Sequence, residues 1–295
     1  MTRTTRGYLY ALIATVCGSL VYLFSKSALN EVSLPQFGFY WFLTAIFFNG
    51  LMALHPRGGF SVKTFTRADY RSLLLMGLIE IVATSSFYAA ISISENPAVP
   101  SFLRNLEYLF VTLLGIWLLS ERFGNYARAG AMLTIAGAFI VSSNFTSFNS
   151  LLTGTSGLML ISTSFYAVRT TLAKKHIREI SPVVLAINRA IFLLLFALTF
   201  MIAEGHSFII PISAFAWIVA GSFIGPFLTS IFQYSALRYI EASRAAIVQS
   251  STGLFVLIGA FLIFGNLPAT LQIFGGILTM AGVVLLMIRT GKDKN

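Results

Sequence analysis

Arg104, Asn105 and Glu107 stand inside Pro100–Leu119, an apolar run about as long as a bilayer-crossing helix, roughly 20 residues. A charge at the bilayer centre costs on the order of 3 kcal/mol on insertion scales. Arg104 and Glu107 are three residues apart, so they share a helix face and offset part of that cost. The rest is tolerable where the face looks into protein or a wet cavity, which makes Arg104, Asn105 and Glu107 candidates for contact with a polar cargo. An ion pair that only locks two helices together is the other reading of the same spacing.

Glu80, in LLLMGLIEIVATSSFYAA, is a second intramembrane carboxylate. Desolvation favours the protonated form of such a group and a nearby arginine favours the ionised form. Glu80 and Glu107 are therefore the candidate proton carriers, unless each is permanently paired with an arginine. Arg169 and Arg189 lie on two later apolar segments. Glu80, Arg104 and Glu107 sum to −1, while Arg169 and Arg189 add +2. A cavity shared by all five suits a zwitterion or a carboxylate-bearing metabolite, which the planar guanidinium grips two-pronged. Arg189 is also near enough to a helix end to snorkel. Trp41, Tyr88, Tyr166, Asn188, Gln233 and Gln249 are candidate uncharged lining. Gly221, Gly225 and Pro226 interrupt one segment and mark a candidate gate hinge or a packing bend.

These residues need apolar helices to carry them. The chain has 295 residues, 57% hydrophobic and only 10% charged, with mean hydropathy +0.83. A soluble domain carries nearer ~25% charged residues. The net charge of +10 is spread through short loops and forms no patch, so nucleic acid is not an expected partner. Cys17, the one cysteine, supports neither a disulfide framework nor a metal site. His55, His176 and His206 show no paired ligand spacing, and no phosphate-binding glycine loop is present, so neither an enzyme nor a bound cofactor is expected.

Ten apolar segments can be marked: Gly7–Ser25, Pro35–Ala53, Ser72–Ser92, Pro100–Leu119, Ala129–Val141, Gly157–Ala173, Pro182–Ala203, Ala214–Leu237, Ala245–Phe264 and Pro268–Ile288. Pro35, Pro100, Pro182 and Pro268 each fall at an expected helix start. With the N-terminus in the cytoplasm, 16 of the 20 Lys and Arg residues fall on the inner side and only Lys26 on the outer. Both termini are then cytoplasmic. The first segment, behind Arg3 and Arg6, reads as a retained helix rather than a cleaved signal. The longest loop, His55–Arg71, reads as a basic, solvated connector.

GAMLTIAGAFIV (130–141) and GGILTMAGVVLL (275–286) align at an offset of 145. Lys26 falls against Lys174, Pro35 against Pro182 and Glu95 against Glu241 at offsets of 146 to 148. The chain thus divides into 1–145 and 150–295, each with five helices. Because five is odd, the second half enters the membrane from the opposite side, and inverted repeats of this kind place a cargo site near the midplane. A duplicated bundle with no transport is the other reading. The glycine-rich fifth and tenth helices are suited to close packing and are also the candidate face for a homodimer.

Over essentially its whole length the chain resembles the ten-helix EamA-type members of the drug/metabolite transporter superfamily. Cys17–Gly18–Ser19 with Lys26 resembles that family's small-residue motif and lysine at the end of the first helix. Ser120–Glu121–Arg122 resembles its turn after helix four, and Arg189 its arginine in the second helix of a repeat. Phe42 and Asn266 depart from the pattern. The resemblance implies an all-α integral membrane protein with ten transmembrane helices as two inverted five-helix repeats. It implies a secondary transporter of the inner (plasma) membrane, with the bilayer, a small-molecule metabolite and protons as partners. Export of an amino-acid-like, carboxylate-bearing or amphiphilic metabolite is the first expectation. Import of a vitamin or nucleoside-like cofactor, or a non-transporting membrane enzyme or scaffold, are the alternatives.

Overall fold

Long apolar stretches in a bilayer must satisfy their backbone groups internally, and helices do so. The computed structural model describes residues 3–54, 65–119, 124–143, 152–176, 182–237, 239–240 and 242–287. Among them the regular structure is entirely helical. The helices are α1 (Arg3–Leu29), α2 (Leu34–Leu54), α3 (Arg67–Ile93), α4 (Ala98–Leu103), α5 (Leu106–Leu119) and α6 (Asn125–Ser143). They continue with α7 (Gly154–His176), α8 (Pro182–Ala203), α9 (Ile212–Ser222), a π-helical stretch (Phe223–Thr229) and α10 (Ser230–Leu237). The last three are α11 (Ala242–Ser250), α12 (Thr252–Phe264) and α13 (Thr270–Met287).

Among the described residues six helical stretches are long and apolar enough to cross a membrane: Thr5–Leu29, Leu34–Leu54, Arg67–Ile93, Val184–Ala203, Ile212–Thr229 and Ile247–Phe264. Large apolar side chains such as Leu262, Met132 and Ile202 are strongly exposed, as they are where the surrounding solvent is lipid.

Two expectations need correction. The segment Pro100–Leu119 is not one helix. Asn105 N donates to Phe102 O (3.1 Å), Glu107 N to Arg104 O (3.0 Å) and Tyr108 N to Asn105 O (3.2 Å), so the chain tightens to i−3 bonding and turns at Arg104–Asn105. Asparagine favours turns over helix interiors, and here its side chain is drawn towards α13. Pro100 accordingly lies inside α4, whose N-cap is Pro97. The loop His55–Arg71 is also shorter than expected. A capping box, with Thr66 N on Asp69 Oδ2 (2.8 Å) and Asp69 N on Thr66 Oγ1 (3.3 Å), starts α3 at Arg67. Residues 55–64 of that loop, and Ser120–Glu121–Arg122, lie outside the described residues.

A matching break separates α11 from α12. There Ser251 N donates to Val248 O (3.1 Å) and Leu254 N to Ser251 O (3.0 Å). Ser251 stands 146 positions after Asn105. Packing between the halves is matched in the same way. α3 packs on α7, and its mate is α1 on α9 and α10; α3 packs on α8, and its mate is α2 on α9. α2 meets α8, and α6 meets α13, each pair being its own mate. The core between the halves is aromatic, with Phe37, Trp41 and Phe102 fully buried.

Candidate functional site

Glu80 lies midway along α3, on the face covered by α7 and α8. Arg169 Nη1 of α7 donates to Glu80 Oε1 at 2.7 Å, and Arg189 Nε of α8 stands 3.1 Å from Oε2. Thr84, one turn along α3, donates its hydroxyl to Oε2 at 2.7 Å. Its single proton is thereby used, so the Tyr166 hydroxyl, 2.8 Å away, donates to Thr84. Glu80 is buried, at 3% exposure, and holds two guanidiniums from the other half of the chain.

A second carboxylate sits at the helix break. Arg104 Nε donates to Glu107 Oε2 at 2.7 Å, and Thr170 Oγ1 of α7 donates to Glu107 Oε1 at 3.2 Å. Glu107 occupies the first turn of α5, where the helix dipole favours a negative charge. The Arg104 guanidinium carbon lies 4.0 Å from the Tyr166 ring centroid and 5.3 Å from that of Phe87; Arg169 lies 5.0 Å from Tyr166. Tyr166 thus gives its face to two cations and its hydroxyl to Thr84.

Arg104, Arg169, Arg189, Glu80, Glu107 and Tyr166 therefore form one connected cluster between the halves, with three positive charges against two negative. Each arginine side chain keeps 27–33% of its surface exposed, while the carboxylates keep 4% and 13%. Arg189 Nε is buried and has no aligned hydrogen-bond acceptor, despite its ion-pair distance from Glu80. A buried donor in that state is rare and marks spare capacity for an acceptor.

Other expected residues lie apart from this cluster. Asn105 is buried and its Nδ2 donates to Thr279 Oγ1 of α13 at 3.1 Å. Asn105→Ala is expected to lower thermal stability by about 1 kcal/mol and leave transport rates unchanged, as unfolding scans and uptake assays on the same preparation would read. Asn188 Nδ2 donates to Leu73 O at 3.0 Å and ties α8 to α3. Trp41 and Tyr88 belong to the aromatic core, with ring centroids 5.6 Å apart. Gln233 Nε2 and the Tyr108 hydroxyl both donate to Gln249 Oε1 at 3.4 Å, a smaller polar patch beside the two helix breaks.

Gly225 and Pro226 lie in a π-helical stretch, while Gly221 lies in the last turn of α9, just ahead of it. Pro226 carries no N–H, and Thr229 Oγ1 donates back to Ile224 O at 2.9 Å. A Cβ on Gly221 would come within 2.5 Å of the Trp41 ring, so the missing side chain lets the core indole lie against the bend.

Thr84, Thr170 and Phe87 complete the cluster and were not singled out from sequence. Thr84 follows Glu80 by four residues, a one-turn spacing that signals a same-face partner. Thr170 and Phe87 carry no such signal.

The EamA-like transporter family model matches residues 5–143 and again 155–288. An "uncharacterized transporter" of Methanothermobacter thermautotrophicus is 25% identical, over 95% of this chain and 85% of its own length. A solved structure titled only "Crystal structure of protein" superposes with a TM-score of 0.66 at 14% identity, covering 96% of each chain, a likeness of fold alone. The match of the family model to both halves, on a helical chain whose buried charges gather between those halves, makes this chain a member of the EamA-like transporter family.

Proposed function

We propose that this chain is a secondary transporter of the inner membrane that exports a small metabolite bearing a carboxylate, amino-acid-like or amphiphilic, coupled to the proton gradient. The observation that carries the reading is the buried cluster between the halves. It holds one more guanidinium than carboxylate, and Arg189 Nε has no aligned acceptor. An anionic cargo supplies the missing charge, and a guanidinium can hold its carboxylate two-pronged. Tyr166, Arg104 and Arg169 are its contacts. Glu107 is the proton carrier of choice: one arginine pairs with it, whereas two hold Glu80.

Domains 1–145 and 150–295 are inverted repeats in this reading. The mated packing and the two helix breaks 146 positions apart support that assignment. Both termini are cytoplasmic, a side supported by the 16-to-1 distribution of Lys and Arg. Rocking of the halves alternates access to the cluster.

The test compares metabolites in spent medium and cell extract for cells expressing the intact chain or Arg104→Ala at matched membrane levels. A carboxylate-bearing compound is expected to build up outside with the intact chain. Its efflux is expected to fall about 30-fold in the variant, the worth of a charge-assisted contact of about 2 kcal/mol. Glu107→Gln is expected to uncouple efflux from the proton gradient. Build-up inside the cells, a cargo with no anionic group, or unchanged efflux in folded Arg104→Ala overturns the reading.

A further inference from the structure

The links between α1 and α2, α3 and α4, α8 and α9, and α12 and α13 fall at one end of the bundle, opposite the basic end where α1, α3 and α6 begin with Arg6, Arg67, Arg71 and Arg128. Four polar contacts cross from the first half to the second there. Gln36 Nε2 donates to Ser207 O at 2.8 Å, and the Tyr40 hydroxyl donates to Phe208 O. The Ser213 hydroxyl donates to Glu31 Oε2. Asn96 Nδ2 reaches both Asn266 O (3.1 Å) and Asn266 Oδ1 (3.2 Å).

Beneath these contacts lies a layer with no exposure at all: Ala28, Phe37, Ile91, Ala98 and Phe102. Lys26, in the last turn of α1, is nine-tenths buried and donates to Ser92 O at 3.0 Å. The arginines of the cluster, on the far side of this layer, keep about a third of their side-chain surface exposed. Arg169 and Arg189 stand within about two turns of the opposite helix ends, at His176 and Pro182.

We propose that Glu31, Gln36, Tyr40 and Asn96, with their partners at 207, 208, 213 and 266, form a latch that shuts this end of the transporter. The structure is then a state closed at this end. The proposal rests on the alternating-access reading, but neither the cargo nor the cluster's charges enter it. Five modest hydrogen bonds across four residue pairs suit a latch. Each contributes about 1 kcal/mol net, and the exposed ones exchange readily with water. The layer beneath is apolar and excludes polar solutes while the latch holds it together. Asn266 takes part through both its backbone and its side-chain oxygen.

The test measures access, not transport, on the full chain in sealed vesicles of both orientations. In a Cys17→Ser background, Thr170→Cys places a thiol on the cluster, and a membrane-impermeant methanethiosulfonate ammonium reagent is applied from either side. Modification of position 170 is read by peptide mass spectrometry. With the latch intact, the reagent is expected to react about tenfold faster from the basic end than from the latch end. Gln36→Ala with Asn96→Ala is expected to raise the latch-end rate about tenfold. A second variant guards against a folding defect. Glu31→Cys with Ser213→Cys, once oxidised, is expected to hold the latch-end rate at its minimum, and prior reduction, with the reductant removed before the reagent is added, to release it. Equal rates from both ends with the latch intact, or a latch-end rate unmoved by both variants, overturns the proposal. Because no cargo is used, this result is independent of the carboxylate reading, which fails only in the efflux test.

Discussion

Glu80→Ala is expected to destabilise the protein by about 3–5 kcal/mol, the cost of breaking a buried ion pair from one side. Glu80 is the one carboxylate within ion-pair distance of both Arg169 and Arg189 among the described residues. Without it two guanidiniums face each other across the core, and Thr84 loses the acceptor of its only proton. The Thr84–Tyr166 bond then has no fixed direction, and the ring that carries Arg104 and Arg169 loses its anchor. Thermal unfolding in detergent reads the loss directly. The companion variant Glu80→Ala/Arg169→Met/Arg189→Leu is expected to recover most of the stability, because no charge is then left unpaired, but not transport. If Glu80→Ala unfolds at the wild-type temperature, the three-residue ion cluster is not a stability element.

The second large effect is expected at the contact between α6 and α13. A Cβ on Gly137 would lie 2.6 Å from both Gly275 O and Thr279 N, which are backbone atoms of the facing helix. Backbone cannot turn aside as a flexible side chain can, so the two helices must separate. Gly275 and Gly282 meet α6 equally closely, so the separation is not absorbed locally. Helix association in a bilayer depends on this kind of close approach, since lipid offers no hydrophobic drive. Gly137→Val is expected to cost about 3 kcal/mol, the upper range for overpacking. Gly50→Ala is the control. Nothing lies within 4 Å of a Cβ there, and alanine in a helix interior gains about 0.5–1 kcal/mol over glycine. Unfolding temperatures of the two variants should therefore move in opposite directions. Thr279 also receives the Asn105 side chain, so displacing α13 is expected to loosen the break at Arg104–Asn105 as well.

Much of the architecture was legible in the residues. Gly221, Gly225 and Pro226 signal an interruption in Ala214–Leu237, and the structure has α9, a π-helical stretch holding Gly225 and Pro226, and α10 across it. Arg104 and Glu107, three residues apart, do pair. Local spacing is enough for such statements, because a helix fixes which neighbours share a face. The break at Arg104–Asn105 was not legible. The polar residues at 104, 105 and 107 fit a continuous helix with one buried polar face equally well, and the turn goes with a hydrogen bond from Asn105 to Thr279, 174 positions away. Asn105 and Glu107 were grouped by adjacency, yet the turn between them sends one towards α13 and the other towards α7.

The sequence by itself determined that this chain lives in a bilayer, that it is helical, that it is built of two similar halves, and that five charged side chains must find one another away from lipid. Those follow from hydropathy, the internal repeat at an offset of 145 and the cost of an unpaired charge in hydrocarbon, none of which needs coordinates. Only the tertiary structure decided that Glu80 takes both second-half arginines while Arg104 keeps Glu107, that Tyr166 serves Arg104 and Arg169 as a common face, and that four residue pairs from the two halves hydrogen-bond at one end. The physical reason is range. Glu80 meets Arg169 across 89 positions and Gln36 meets Ser207 across 171, and which helix faces oppose each other is a property of the packed bundle, not of any local pattern.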